Sequence, residues 1–480
     1  MQKPTRVRYG VLGFCCALSM ITYLDRVCFG TVAPYIQSEF GLSETEKGLL
    51  FTAFALAYAV FEVPTGWLGD VFGPRKTLIR IVLWWSAFTM LTALIFPTPV
   101  PWVGFSLLVG VRFLFGVGEA GAYPNIARAF HNWFPFTQRA FAKGTVWMAG
   151  RFAGGITTFI VLALMYETVT TPTAAGAAPE KTMHWRHIFF IFGALGIAWC
   201  VVFYFWFRDR PEQKAGVNAA ELALIHGDAA GEHSAERVRV PWSKLLGNAN
   251  LWILCAMYFC ASYGWYFNIT YLPGYLRDYY GQTGGEKFTR EFWYFSLMAG
   301  SPLLLGALAC FLGGVLSDSF IARTGNKKWG RRLFGVLGHG LAAVCYFIAI
   351  FAGDSVWLFV GAVAFAAFFN DMMMGAAWAS CIDIGKRYSG VVSGCMNTVG
   401  NLGGAAAGFV TGFIIDLAKK GATSDTPQAI HEASKVGWHI NFASFSAVFV
   451  IGTICWLLFD STRPIEPEEP CETLDAPPTI

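Results

Sequence analysis

The chain has 480 residues, 55% of them hydrophobic and only 14% charged, with a formal net charge of +4. Soluble domains carry about 25% charged residues, so a water-soluble globule is excluded, and 18 Trp with 44 Phe could not all hide inside one. The modest charge gives no reason to expect nucleic acid as a partner. The 12 Cys show no CxxC pair or metal-ligand spacing and read as buried, reduced, small apolar residues.

A membrane-spanning helix needs about 20 apolar residues. Twelve stretches qualify, near 10–35, 47–69, 77–96, 102–123, 140–165, 187–207, 249–276, 293–316, 333–351, 356–382, 389–416 and 438–459. The first is too long for a signal-peptide core and has no small-residue cleavage site after it, so it reads as a true span. Lys3, Arg6 and Arg8 precede it. With that end placed inside and the spans alternating, most Lys and Arg fall in inner segments, which puts both termini in the cytoplasm. Residues 208–247, rich in charge and alanine, read as a cytoplasmic linker between a first half (1–207) and a second (248–460). Residues 461–480, acidic and Pro-rich, read as a disordered cytoplasmic tail. The expected fold class is an all-α membrane protein with twelve transmembrane helices in two pseudo-symmetric six-helix bundles.

Ionisable groups inside the spans should carry the function, because each costs about 2.5 kcal/mol or more in hydrocarbon. Span 1 holds Tyr23, Asp25 and Arg26; span 4 holds Arg112 and Glu119; span 5 holds Arg151. Arg112 and Glu119 share a helix face about 10 Å apart along the axis, and Arg151 lies ~16 Å from the start of its span, too deep to snorkel. Three arginines against two carboxylates suggest a cationic, proton-titratable cavity for an anion, since the planar guanidinium fork matches a carboxylate. A purely structural set of ion pairs would account for Arg112 with Glu119 but leaves Arg26 and Arg151 outnumbering Asp25. Glu62 is placed beside a helix break at Pro64, and Asp371 is a secondary candidate. Gly116-x-Gly118-x-x-Gly121 matches a dinucleotide fingerprint, but it lies inside a span with no preceding strand and reads as close helix packing. So does Gly400, Gly404, Gly408 and Gly412, recurring every fourth residue in span 11.

The halves echo each other. Gly66, Asp70, Arg75 and Lys76 after span 2 match Gly314, Asp318, Arg323 and the cluster Lys327, Lys328, Arg331, Arg332 after span 8. This pattern resembles the loops after spans 2 and 8 of the major facilitator superfamily, where Asp and Arg form a charge latch that holds one transport state. Tyr23-x-Asp25-Arg26, Tyr58, Arg112-x6-Glu119, the glycines of 116–124 and Asn397-x3-Asn401 give a narrower likeness. They are similar to the anion:cation symporter family, nearest its bacterial sugar-acid, galactonate-like branch. That resemblance implies Arg26 for the substrate carboxylate, Asp25 and Glu119 for protons, and Arg112 as the partner and regulator of Glu119. It places Tyr23, Tyr58, Trp378 and Asn397 in contact with substrate, and Asp70, Arg75 and Asp318 in the latch; Asp383 reads as a further gating ion pair. Arg151 and Tyr258 stand where that branch has Gln. Arg151 is therefore expected either in an ion pair or facing the cavity, where it would set substrate choice and suit a second anionic group.

The resulting expectation is proton-coupled symport of a small organic anion by alternating access, in a monomer of the bacterial inner membrane. A facilitator or exchanger on the same scaffold is the alternative. A membrane-embedded enzyme would need a nucleophile, metal set or cofactor motif, none of which is seen, so no enzyme activity and no cofactor are expected.

Overall fold

The computed structural model describes residues 3–165, 185–227, 242–280 and 292–465, and among these every regular element is helical. The first half is built from α1 (Val7–Phe40), α2 (Glu44–Phe72), α3 (Pro74–Ala93), α4 (Pro101–Glu119), α5 (Ala122–Trp133), α6 (Phe136–Met165) and α7 (Trp185–Trp206). The connection contributes α8 (Ala219–Gly227) and α9 (Trp242–Leu246). The second half comprises α10 (Ala249–Thr270), α11 (Leu272–Tyr275), α12 (Phe292–Thr324), α13 (Lys327–Ile350), α14 (Val356–Met372), α15 (Met374–Gly385), α16 (Ser389–Lys420) and α17 (Pro427–Leu458). With α4–α5, α10–α11 and α14–α15 each forming one interrupted span, the halves hold six spans apiece.

Ten of these spans are long and apolar enough to cross a membrane. The other two, α3 and α10, have 20 and 22 residues but are more polar. The first carries Arg75, Lys76 and Arg80, and the second is rich in Tyr, Trp and Asn toward its end. Both pack among their neighbours, α3 against α7 and α10 against α16, so the expected twelve spans are met. Large apolar side chains such as Trp102, Phe205, Phe311 and Phe351 point outward, as a lipid-facing surface requires. Of the expected tail, 461–480, residues 466–480 lie outside the described residues, while Ser461 is buried and Ile465 is hydrogen-bonded to Ile384.

Local signals set the ends. Ser43 and Glu46 form a reciprocal capping box at the start of α2, and the side chains of Asn248, Ser355 and Thr426 cap α10, α14 and α17. Pro64 does not break α2, which continues to Phe72; the expected interruption beside Glu62 is absent. Breaks occur elsewhere. Span 4 leaves the helix at Ala120 and Gly121, where Gly121 takes φ 84°. A Cβ there would press on Thr65. Span 10 is interrupted at Met373. These are equivalent spans of the two halves, and each break follows a buried acid, Glu119 or Asp371. Backbone freed at membrane depth is tolerated where it is buried in protein or lines a cavity.

One face of the molecule gathers both ends of the described chain and the connection. Thr5, Val7 and Arg8 all donate to the carboxylate of Glu221 in α8, and the Ile465 N–H reaches the Ile384 carbonyl. The linker as far as α8 is thus docked on the first half, its Glu221 supplying acceptors to the open start of α1, whereas Leu245 of α9 is buried with the second half; residues 228–241 lie outside the described residues.

The opposite face is shut. Gly155 of α6 packs on Gly300 of α12, and Gly48 of α2 on Gly408 of α16, close enough that a Cβ at either Gly300 or Gly48 would collide with the facing carbonyl. Asp416 accepts from the backbone N–H groups of Glu44 and Thr45 at 3.1 and 2.6 Å, and Lys419 reaches Glu44 at 3.1 Å. Toward the terminal face, by contrast, Gly144, Gly390 and Gly394 have open space around them.

On the terminal face of the second half, Arg331 joins Asp318 at 2.9 Å and Asp383 at 3.2 Å, while Lys327 holds the other Asp383 oxygen at 2.7 Å. Asp383 therefore makes an ion pair across to α13. In the first half the Arg75 N–H donates to Asp209 at 2.8 Å and its guanidinium stacks on Tyr204 at 4.6 Å. The Asp70 side chain lies outside the described atoms.

Two outcomes follow from this packing. Gly300→Val should hold the shut face apart: the protein inserts, uptake is lost, and spin labels at the far ends of α6 and α12 move away from each other. Unchanged label distances would contradict the closure. Arg331→Leu removes one partner from a nearly buried pair, which costs about 3 kcal/mol. Thermal unfolding in detergent should show the loss, and Asp383→Asn added to it should recover part.

Candidate functional site

Between the halves lies a small polar cavity of about 60 Å³. The first half contributes Tyr23 and Arg26 from α1 and Trp147 and Arg151 from α6. The second contributes Tyr258, Trp265 and Tyr266 from α10, Asn370 and Asp371 from α14, and Asn397 and Asn401 from α16. At this size it holds a few waters rather than a sugar acid, since small-molecule pockets run to roughly 300 Å³ and more.

Arg26 is nearly buried and its Nε donates to Glu119 Oε1 at 2.6 Å. Its guanidinium carbon sits 4.7 Å from the Tyr58 ring centroid and 5.2 Å from that of Phe54. The Nη2 group has no acceptor, nor does Glu119 Oε2 have a donor. Glu119 is the last residue of α4, and the chain leaves the helix at Ala120, immediately after it. Gly116 and Gly118 contribute by letting α4 pack on the α2 backbone and the Trp84 ring, which is the close packing the glycine pattern suggested.

Arg112 takes a different place from the one expected. Glu119 is engaged by Arg26, and the Arg112 guanidinium lies against three rings: Phe29 at 3.9 Å, Phe115 at 4.8 Å and Phe54 at 5.0 Å. The two residues are two helical turns apart, and the partner from α1 is better placed. Cation–π contact of this kind is worth about 2 kcal/mol when desolvated. Asp25, beside Arg26 in sequence, is buried with no hydrogen-bond donor to either oxygen.

Arg151 is buried at the cavity wall and its Nη2 donates to Asp371 Oδ1 at 3.0 Å. The guanidinium carbon stands 4.4 Å from the Trp265 ring and 5.9 Å from Tyr23. Gly150 and Gly154 face Tyr23 on the same helix. Both homes considered for Arg151 apply at once, since it is ion-paired and it lines the cavity. The pair joins the halves, α6 to α14. Glu62 makes a second bridge: Asn397 Nδ2 donates to its Oε1 at 2.5 Å, and Asn401 and Tyr266 extend the chain of polar contacts. Trp378 packs edge-on to Tyr258 and near Trp147, both at 6.1 Å. Lys143 approaches its ring at 4.6 Å.

The surplus of cationic groups read from the sequence is corrected here. Asp371 joins Asp25 and Glu119, so three arginines face three carboxylates, with Glu62 close by. Asp371, a secondary candidate from the sequence, thus becomes part of the site, and its place in span 10 is the counterpart of Glu119 in span 4. Among the described residues no group of His, Cys, Asp and Glu is arranged to hold a metal ion.

Comparisons with known proteins agree with this architecture. The model of the Major Facilitator Superfamily matches residues 15–408. The probable sulfoacetate transporter SauU of Cupriavidus necator is 34% identical over 87% of this chain and 89% of its own. The probable galactarate/D-glucarate transporter GudP of Escherichia coli is 28% identical over 95% of each. A bacterial homolog of the human lysosomal transporter Spinster, in an inward-facing and unoccupied conformation, superposes with a TM-score of 0.70 at 20% identity, over 95% of this chain and 97% of that one. This chain belongs to the Major Facilitator Superfamily, and is a multi-pass membrane transporter rather than an enzyme.

Proposed function

We propose that this transporter carries a small organic anion inward together with protons, by alternating access, through the bacterial inner membrane. The names of its relatives, a sulfoacetate and a galactarate/D-glucarate transporter, supply the substrate class. The observation that carries the coupling is the charge balance of the cavity. Arg26, Arg112 and Arg151 face Asp25, Glu119 and Asp371, with Glu62 a fourth carboxylate beside them, so the arginines carry no surplus charge; all seven groups are buried or nearly so. A site so balanced gains net attraction for an anion only when a carboxylate takes up a proton. Anion and proton therefore enter together.

Arg26 is the principal anion contact. It lies in the cavity with one donor group unused, and its ring-stacked guanidinium presents its N–H groups edgewise. Asp25 and Glu119 take the protons: the first has no donor, and the second is released whenever substrate claims Arg26. Arg112, held on its three rings, keeps a fixed positive charge near both. Tyr23, Tyr58, Trp378 and Asn397 shape the site, and Asp318, Asp383 and Arg75, with Asp70, serve the terminal-face latch. The shut face opposite the termini is the periplasmic one, because the basic residues crowd the other side. One chain supplies both halves of the cavity and works as a monomer.

Proteoliposome uptake of sulfoacetate, galactarate and gluconate, with and without an inward proton gradient, tests this directly. Gradient-driven accumulation of at least one is expected; uptake indifferent to the gradient would favour a facilitator or exchanger. Arg26→Lys keeps the charge and loses the fork, and should cut uptake by about tenfold or more. Normal uptake by that variant contradicts its role. Asp25→Asn with Glu119→Gln should abolish accumulation while leaving substrate counterflow measurable; accumulation that survives in the double variant moves the coupling to other carboxylates.

A further inference from the structure

The acid–arginine units of the cavity are not equivalent. Arg26 and Glu119 both belong to the first half, whereas Arg151 is held by an acid of the second. Arg151 is 3% exposed, yet it spends only Nη2 on Asp371, and its Nε and Nη1 have no acceptor. Asp371 in turn spends one oxygen, Oδ1, on the arginine, and its Oδ2 has no donor. Trp265 holds the guanidinium by its face, which leaves the in-plane N–H groups directed along the cavity wall. Arg26 lines the same cavity with its own unused Nη2.

We propose that Arg151 is a second anion subsite whose resident occupant is Asp371, and that the substrate is a short molecule with two anionic groups, one for Arg26 and one for Arg151. This rests on the anion-transport reading above and adds to it the charge pattern of the substrate. The unfilled N–H groups of Arg151 donate to the second group, which competes with Asp371 for the guanidinium. The pair is also a tie between α6 and α14, so occupation of this subsite loosens a bond between the halves. The first anionic group, bound to Arg26, acts within one half and cannot do so. A carboxylate borne by the protein thus stands in the empty site for the second acidic group of the substrate. Cys310, Tyr23 and Tyr258 are the other titratable groups around the pair.

The test compares molecules of one skeleton that differ by a single charge: malonate with malonamate, and succinate with succinamate. Affinities come from thermal stabilisation of the full-length protein in detergent and from uptake into proteoliposomes. The wild type should prefer the dianion of each pair. Arg151→Gln should lower the ratio of dianion to monoanion affinity by about tenfold or more. Asp371→Asn, which removes the competitor and keeps the shape, should raise dianion affinity by about threefold. If Arg151→Gln fails to fold, the double variant Arg151→Gln/Asp371→Asn removes both charges of this pair together and gives the same ratio. An unchanged ratio in the Arg151 variants overturns the second subsite, and a fall in dianion affinity in Asp371→Asn overturns the role of Asp371. A wild type that takes monoanions but neither malonate nor succinate overturns the dianion assignment while anion transport stands. One that takes no anion at all overturns the reading beneath it.

Discussion

A guanidinium withdrawn from water must be met by an opposite charge, an aromatic face or a ligand, because leaving it bare inside a membrane protein costs several kcal/mol. Much of this structure is arranged around three such groups. Arg26 has Glu119, Arg151 has Asp371, and Arg112 has the rings of Phe29, Phe54 and Phe115. The helix breaks in spans 4 and 10 belong to the same requirement. Each lies just past its acid, with Glu119 the last residue of α4 and Asp371 one residue before the end of α14, so both carboxylates stand at a helix end beside an arginine of a neighbouring span.

The internal repeat places these devices twice, but the two copies are used differently. In the first half the acid and the arginine close on each other inside one rigid bundle. The acid of the second half reaches across to the first, so the cavity is bounded by one bond within a body and one bond between bodies. With Glu62 on Asn397 as a further bridge, the centre of the molecule is both the place where charge is handled and a place where the halves hold each other. A substrate that alters the charge there alters the contact between halves in the same step.

The architecture was largely legible from the amino-acid order, since spanning helices are local objects: length, hydropathy and the flanking basic residues specify them. The depth of Arg26, Arg112 and Arg151 followed from counting residues along each span. What could not be read was which acid meets which arginine. Arg112 and Glu119 lie seven positions apart and invite pairing, yet Glu119 goes to Arg26, 93 residues away, and Arg151 finds Asp371 at a separation of 220. Those choices depend on how whole helices pack. The break after Glu119 was masked too, because Gly116, Gly118 and Gly121 all read as packing glycines. Only the last has a backbone conformation, φ 84°, that ends the helix.

The shut face carries a consequence for how the molecule can move. Where Gly155 meets Gly300 and Gly48 meets Gly408, backbone comes against backbone, and beside the second contact the Tyr271 hydroxyl donates to the Gly408 carbonyl while Asp416 and Lys419 reach the start of α2. The glycine contacts have no side chain of their own to stretch or change rotamer, so they part sharply, whereas the polar contacts around them can lengthen. The two kinds of contact divide the work of the seal: the glycines set how closely the halves can meet, and the side chains around them set how firmly.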